Sequence, residues 1–230
     1  FARGGYDLQV GNPPWVRPQW LEEQVLAELE PWFMLAERPS AADWRLRKAD
    51  VLETNRSGKR FLLNELASHA GAATMLGSTV AYPLLAGTQG DLYRGFLSQV
   101  WQHIAPRGSA GLIHPDTHFG GVREGNIRAA SYRHLRVHAH FVNSANWAFD
   151  DLNRSAEFGM HIYGVPQEPD FYHLSELRGA EVLPESLNHD GHGPTPGIKH
   201  NGSWDIRPHR ERVVRVNSQL LTSWLHLTDS

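Results

Sequence analysis

The sequence predicts an α/β fold with a helical insertion. The main observation is the order of elements: apolar segments of strand length alternate with segments whose apolar residues recur three and four positions apart, as on helices. That order is typical of crossover units on a mainly parallel sheet. A long helical stretch after the first predicted strand indicates the insertion. A hydrophobic fraction of 40% over 230 residues is sufficient for a packed core.

The first predicted strand is 6–10, and it ends at Gly11 and the Pro13-Pro14 pair because proline cannot donate to a strand ladder. Apolar residues at helical spacing predict three helices after it, and Pro31 bends or divides the first. The stretch up to Gln89 is predicted to be irregular. The three predicted helices span 19–35, 41–52 and 60–76, within an insertion of about residues 19–88.

The rest of the chain returns to alternating helices and strands. Asp91 is positioned to cap a helix whose apolar face carries Leu92, Phe96 and Val100, and the segment 106–108 is predicted to end it. From residue 165 to 208 the sequence is rich in Pro, Gly, Asn and His, which predicts irregular structure. The other predicted elements are strand 111–114, basic helix 127–136, strands 138–142 and 158–163, strand 212–216 and helix 218–227.

Composition excludes several classes of protein. With 0 cysteines the chain has no disulfide framework, no cysteine zinc site and no thiol nucleophile. No segment approaches the ~20 apolar residues of a membrane helix, so a membrane-spanning protein is excluded and the cytoplasm is the favoured compartment. The formal charge of -3 gives no overall attraction to nucleic acid. Only three of the 22 basic residues are lysines, which fits GC-rich coding or a need for bidentate donors.

The most informative segment is Asn12-Pro13-Pro14-Trp15, directly after the first predicted strand. Two prolines fix the backbone, so the Asn12 side chain and the Pro13 carbonyl point in set directions at the carboxyl end of the sheet, where α/β proteins bind ligands. An amide oxygen and a carbonyl oxygen can accept both hydrogens of an exocyclic amine, and Trp15 offers a face on which a planar base can stack. The alternative is a plain turn in which Trp15 fills the core.

This segment resembles the catalytic Asn-Pro-Pro-aromatic motif of adenine-specific amino-methyltransferases of DNA. Three further segments resemble, in order and spacing, the large methylases of type IIG restriction-modification and phage-defence systems: 91–96, 110–115 and 158–164. The resemblance implies the C-terminal part of a Rossmann-like class I methyltransferase sheet over residues 1–164. It also implies that residues 165–230 begin a target-recognition or accessory region.

The resemblance further implies a reaction and its partners. Asn12, Pro13, Pro14 and Trp15 would be the catalytic residues, S-adenosylmethionine the methyl donor, and double-stranded DNA with a flipped adenine the substrate. The family binds its cofactor on a glycine-rich turn after an earlier strand, and Gly4-Gly5 stands before a strand instead. The chain is therefore expected to be a fragment that starts just before the motif. The missing N-terminal part or other defence-system subunits would complete it.

Two arginine-rich stretches are predicted to contact the DNA backbone, because arginines neutralise phosphates. The alternative for both is an ordinary solvated surface. The predicted contacts are Arg128, Arg133, Arg207, Arg210, Arg212 and Arg215. A non-catalytic DNA-binding or assembly module that keeps the methyltransferase sheet is the alternative function.

Histidines raise the possibility of a metal site. His114 and His118 flank a Pro-Asp pair, and His138 and His140 would share one face of a strand. No carboxylate lies at a recognisable spacing, and nearby arginines would repel a cation, so no metal is predicted. Elsewhere, 143–147 follows a strand, and its Asn and Trp side chains either line the base pocket or form a turn.

Overall fold

The computed structural model describes residues 4–88, 90–153 and 155–228. The chain divides into two compact units, one formed by Phe1–Val16 with Leu92–Ser230 and the other by Arg17–Asp91. The second unit is the segment for which a helical insertion over about 19–88 is predicted. None of the described helices is long and apolar enough to cross a membrane.

The first unit contains all the strands and five of the α-helices described. Its strands are β1 (Tyr6–Gly11), β2 (Ile104–His114), β3 (Leu135–Val142), β4 (Glu157–Tyr163), β5 (Asp170–Leu177), β6 (Lys199–His200), β7 (Ser203–Trp204) and β8 (Val214–Asn217). In chain order the helices of both units are α1 (Glu22–Ala27), α2 (Trp32–Leu35), α3 (Ala41–Thr54), α4 (Arg56–Leu76), α5 (Leu92–Gln102), α6 (Thr117–Gly120), α7 (Gly125–His134), α8 (Val182–Leu187) and α9 (Ser218–Thr228).

Six strands form one mixed sheet in the order β1-β2-β4-β3-β5-β8. β1 pairs with β2 in parallel, and so does β3 with β5. β4 is antiparallel to both of its neighbours, and β8 is antiparallel to β5. The α/β class is therefore confirmed, but the expected mainly parallel arrangement is wrong. The connection from β3 to β4 has no crossover helix among its described residues, 143–153 and 155–156, so β4 returns antiparallel.

The sheet continues past residue 164, where the sequence predicts irregular structure. Neither β5 nor α8 is predicted, and β5 lies inside the sheet between β3 and β8, one strand from its edge. The segment 106–108, predicted to end a helix, is instead part of β2. The β1–β2 register shifts between Tyr6 and Leu8, and a Cβ at Gly108 would lie 2.4 Å from the Tyr6 carbonyl oxygen. This irregularity accommodates Pro106, which has no N–H to donate.

The sheet has two covered faces. The α5 face carries Leu112, His114, His161 and Tyr163, and rings from α5 cover it: Tyr93 stacks on His114 at 5.1 Å. The other face, here called the α8 face because α8 packs on it, carries the residues that alternate with these along each strand. Its core is formed by Ala139, Phe141, Phe158, Leu174, Leu177, Val182 and Leu183.

The second unit has its own small core. Leu26, Phe33 and Leu62, from α1, α2 and α4, are buried together. Pro31 precedes α2 and separates it from α1, so the predicted helix over 19–35 is divided. Ser40 caps α3, because its hydroxyl accepts the Asp43 N–H.

Candidate active site

The Asn-Pro-Pro-Trp segment begins immediately after β1, at the carboxyl end of a parallel strand pair. Gly11, the last residue of β1, is in register with Leu112 of β2. A crossover through α5 joins the two strands, because α5 directly precedes β2 in the chain. The segment therefore lies at the sheet edge where ligands bind in α/β proteins. Pro13 is buried, while Asn12 and Pro14 are exposed.

A cavity of about 300 Å³ opens beside this segment. It lies on the α5 face, because Gln9 and Gly11 share that face with Leu112. Within the described residues, the Asn12 side chain makes no hydrogen bond or ion pair, so its amide is available to a ligand. The cavity is lined by Gln9, Val10, Gly11, Asn12, Pro13, Pro14, Phe96, Val100 and Leu112.

Trp15 is not one of the residues that line this cavity. It is half-buried and packs on the α8-face core, with its ring 5.2 Å from that of Phe149 and 5.9 Å from that of Phe158. Its indole Nε1 donates to the Ile113 carbonyl oxygen at 3.3 Å. The structure thus brings Asn12, Pro13 and Pro14 together at one cavity and anchors Trp15 in an aromatic cluster next to it.

Asn143 holds the loop that supplies Phe149. Its side chain is fully buried; Oδ1 accepts the N–H groups of Ala148 and Phe149 at 3.2 Å each, and Nδ2 donates to the Phe149 carbonyl at 2.8 Å. Ala145 and Asn146 adopt positive φ angles of 59° and 57°, which make the turn tight. The segment 143–147 therefore forms a turn, and that turn positions an aromatic ring against Trp15.

The six arginines predicted to contact DNA do not form one surface patch of unpaired side chains. Most of them already make hydrogen bonds within the protein. Arg128 donates to the carbonyls of Phe119 and Gly121 at 3.1 and 2.8 Å. Arg215 pairs with Asp170 through two hydrogen bonds of 2.8 and 2.7 Å.

Of the other three predicted arginines near the C-terminus, two already make hydrogen bonds within the protein and one is exposed. Arg207 pairs with Asp205 at 2.9 and 2.7 Å, and Arg212 donates to the Arg207 carbonyl at 2.8 Å. Arg210 is exposed and lines a second cavity, of about 570 Å³, together with Arg215. The strand predicted over 212–216 is observed as β8, which begins at residue 214, so Arg212 precedes the strand and Arg215 lies in it.

Arg133 and Arg210 are the two exposed members of the set whose side chains have no polar partner in the described parts of the chain. Their guanidinium groups can reach phosphates without giving up an existing hydrogen bond. For the other four arginines, a DNA contact would compete with a protein interaction already in place.

Buried histidines gather around one carboxylate on the α5 face. Asp116 Oδ1 accepts from His161 Nε2 at 2.9 Å, and its Oδ2 accepts from His138 Nε2 at 3.0 Å. His114 stacks on His161 with ring centroids 3.8 Å apart. His138 and His140 lie on the same face of β3, as the sequence predicts, because they oppose His161 and Gly159 of β4.

Burial controls the protonation of this cluster. It lowers the pKa of His161 to about 4, although the hydrogen bond to Asp116 acts in the opposite direction. Burial, followed by the nearby His138, lowers the pKa of His173 to about 4. Burial alone would raise the pKa of Asp116, but the hydrogen bonds from His138 and His161 outweigh it and hold that pKa below its ordinary value. The cluster is thus a charged carboxylate hydrogen-bonded to two imidazoles, and burial keeps the His161 ring neutral at pH 7.

The sequence matches no described protein family and no curated protein. Among solved structures, it is similar to the methyltransferase subunit of a type I restriction-modification system from Streptococcus thermophilus, at 14% identity and a TM-score of 0.36 over 69% of this chain. It is similar to a nuclease-deletion mutant of the type ISP restriction-modification enzyme LlaGI in complex with a DNA substrate mimic, at 12% identity and 0.40 over 86%. A third similar structure is a DrdV-DNA complex, at 11% identity and 0.39 over 73%.

The chain covers 28%, 18% and 14% of those three chains, in the same order. At these identities the similarity concerns the backbone arrangement, a mixed α/β sheet. The functional argument therefore depends on the residues of this chain.

Proposed function

We propose that this chain binds the exocyclic amine of an adenine flipped out of double-stranded DNA, as part of an adenine-specific DNA methyltransferase of a restriction-modification or phage-defence system. One observation carries the proposal: the free amide of Asn12 and the rigid Pro13-Pro14 pair line one cavity at the carboxyl end of β1. This is the position in an α/β sheet from which backbone and side-chain oxygens can act together on a ligand.

The chemistry follows from the two acceptors. Asn12 Oδ1 and the Pro13 carbonyl oxygen accept the two N–H groups of the adenine amine. Both hydrogen bonds strengthen as the nitrogen becomes positively charged during methylation, so they stabilise the transition state more than the ground state. The proton leaves the nitrogen after the new N–C bond has formed, and no covalent enzyme intermediate is required.

Trp15 would supply the stacking surface for the flipped base. It is half-buried, so part of its indole remains accessible, while the contacts with Phe149 and Phe158 keep the ring in place. A ring held in this way loses little conformational entropy when a base stacks on it.

S-adenosylmethionine is the methyl donor of the family that the motif resembles, but the residues around the cavity do not fit it. The lining consists of apolar side chains, backbone and the amides of Gln9 and Asn12, with no carboxylate for the ribose. Gly4 and Gly5 precede β1, whereas a cofactor-binding turn follows a strand. The function assigned to this chain is therefore to hold the adenine.

DNA would be held through its phosphates as well as through the flipped base. Arg133 and Arg210 are the members of the arginine set that can make such contacts without losing a protein partner. Arg215 shares a cavity with Arg210, and contact with a phosphate there would have to compete with Asp170.

N6-methyladenine in DNA tests the proposal without knowledge of the recognition sequence. The complete gene product that carries this chain is expressed in a host without adenine methylation, and the genomic DNA is digested to nucleosides for mass spectrometry. We expect N6-methyldeoxyadenosine with the natural sequence and its loss with Asn12→Ala. Absence of the modified nucleoside from cells that contain folded natural protein would contradict the proposal.

A non-catalytic DNA-binding module is the second candidate, and one observation favours it: the cavity lacks the features of a methyl-donor site. This candidate predicts DNA binding that Asn12→Ala leaves unchanged, with no methylation by either protein. The two candidates therefore differ in the response of methylation to a single side chain.

A further inference from the structure

The most polar part of the core is the histidine cluster around Asp116. His114, Asp116 and His161 each offer one ligand atom, and these three atoms lie within 4.8 Å of one another. Both histidine side chains are fully buried, and the Asp116 side chain is only 19% exposed. Such a set of donors in a protein core needs a physical reason, because each buried polar group must keep its partners.

The sheet makes room for this cluster at Gly159. A Cβ built there would lie 2.4 Å from Asp116 Oδ1 and 2.6 Å from His161 Nε2. Gly159 stands in register between His114 of β2 and His140 of β3. The missing side chain in the middle of the sheet thus creates the space in which the carboxylate and the imidazole meet.

We propose that His114, Asp116 and His161 bind one divalent transition-metal ion, for which Zn²⁺ is the probe. Two imidazoles and one carboxylate are a donor set that suits Zn²⁺ and Fe²⁺. Bonds of about 2.0–2.2 Å from such an ion place neighbouring donors about 3–4 Å apart. The present separations, all within 4.8 Å, therefore need side-chain shifts of about 1 Å.

Bound metal replaces hydrogen bonds that the donors now make. His161 gives up its bond to Asp116, and His114 gives up one of two bonds, either to the Pro115 carbonyl or to the Tyr163 hydroxyl, both at 2.9 Å. The remaining His114 bond fixes the orientation of the ring. His138 keeps its bond to the second oxygen of Asp116 and acts as the outer partner that orients a metal-binding carboxylate.

A fourth imidazole, that of His118, lies nearby, although it is not one of the residues whose ligand atoms lie within 4.8 Å of one another. The Nε2 atom of His118 is buried and has no hydrogen-bond partner among the described residues. The His118 ring centroid is 5.4 Å from that of His114 and 6.3 Å from that of His161. With this ligand the donor set becomes three imidazoles and one carboxylate.

The proposed ion is structural. Its ligands come from the end of β2, the residue before α6, and β4, so the ion would join three separate parts of the α5 face. The burial of both histidines leaves no approach for a substrate. This inference is independent of the proposed function, because metal binding and methylation have separate readouts.

The first test measures metal in the natural chain. Protein freed of metal with a chelator is dialysed, and Zn²⁺ binding is measured by titration calorimetry, with metal content of the purified protein determined by mass spectrometry. We expect one Zn²⁺ per chain and a rise in melting temperature on addition of Zn²⁺. Co²⁺ in place of Zn²⁺ should give visible absorption bands of a four- or five-coordinate site.

Variants locate the site. Asp116→Asn keeps the size of the side chain and one acceptor oxygen but removes the charge, and His161→Gln removes the imidazole; each should weaken Zn²⁺ binding by roughly a hundredfold or more. His200→Gln, which changes an exposed histidine in the β6–β7 hairpin, is the matched control and should bind as the natural chain does. Absence of stoichiometric Zn²⁺ binding by the natural chain would overturn the proposal, as would unchanged affinity in both folded variants.

Discussion

The indole Nε1 of Trp15 lies 3.3 Å from the carbonyl oxygen of Ile113, so the aromatic residue of the motif is tied to the backbone of the neighbouring strand. This bond joins the loop after β1 to β2 at the carboxyl edge of the sheet. It gives Trp15 a role in the local fold that can be separated from the proposed stacking with a base.

Trp15→Phe should keep the aromatic surface and lose the hydrogen bond. We expect a decrease in stability of about 1 kcal/mol, because a typical buried hydrogen bond contributes that much, with most of the methylation activity retained. Trp15→Ala removes the ring as well and should weaken binding of the flipped base by about 1 to 3 kcal/mol. Thermal melts and methylation rates for both variants separate the roles, and full activity in Trp15→Ala would exclude stacking.

Asn143→Ala tests the loop that carries Phe149. The substitution leaves the N–H groups of Ala148 and Phe149 without their acceptor in a buried place, which should cost about 1–3 kcal/mol of stability. Chemical denaturation measures this loss. A free energy of unfolding within about 0.5 kcal/mol of the natural value would show that these hydrogen bonds contribute little.

The stability of the metal-free protein should fall as the pH is lowered. His161 and His173 have a pKa of about 4 in the fold, against 6.5 for an unperturbed histidine. Because the folded state disfavours their charged forms, both groups leave stability unaffected above pH 6.5 and lower it as the pH falls from 6.5 towards 4. The slope should reach about 1.4 kcal/mol per pH unit for each group.

Urea unfolding in the presence of a chelator, at intervals between pH 8 and pH 4.5, measures this dependence. His173→Gln should make the slope shallower, because it removes one of the histidines that the fold keeps neutral. A free energy of unfolding that does not change between pH 7 and pH 5 would show that these histidines are not held neutral.

The arginines should differ in their effect on DNA binding. Arg210→Ala and Arg133→Ala each remove an exposed guanidinium, and each should flatten the plot of log affinity against log salt by roughly one unit if it contacts a phosphate. Arg212→Ala is the comparison: its side chain holds the Arg207 carbonyl, so it should lower the melting temperature and leave the slope unchanged. The opposite pattern would assign the phosphate contact to Arg212.

The first half of the sheet could be predicted from the sequence, because β1 and β4 are apolar segments that end at clear turn signals. β5 could not be predicted in the same way. Its buried residues Phe171, Leu174 and Leu177 do not alternate, since the pairing with β3 shifts register between Ala139 and Phe141 and Glu176 adopts a φ of 58°. α8 is only six residues long and contains Pro184, which hides its helical period.

The candidate functional residues, too, could be predicted from the sequence only in part. The motif identifies Asn12 and Pro13 because their chemistry depends on adjacent residues, which a sequence displays directly. The contacts of Asp116 with His138 and His161 join residues 22 and 45 positions away, and only the strand pairing reveals them. The sequence offers one signal, the spacing His114-Pro115-Asp116, but a single histidine and carboxylate two residues apart do not identify a metal site.

The turnover of Asn12 variants tests the central claim most directly. In the complete gene product, Asn12→Ala should reduce adenine methylation about a hundredfold, or about 3 kcal/mol, because it removes one of two acceptors for the amine. Asn12→Asp keeps an acceptor at the same place and should lose less. Asn12 is exposed, so the folded state should tolerate both changes. A folded Asn12→Ala protein that methylates adenine at the natural rate would contradict the account.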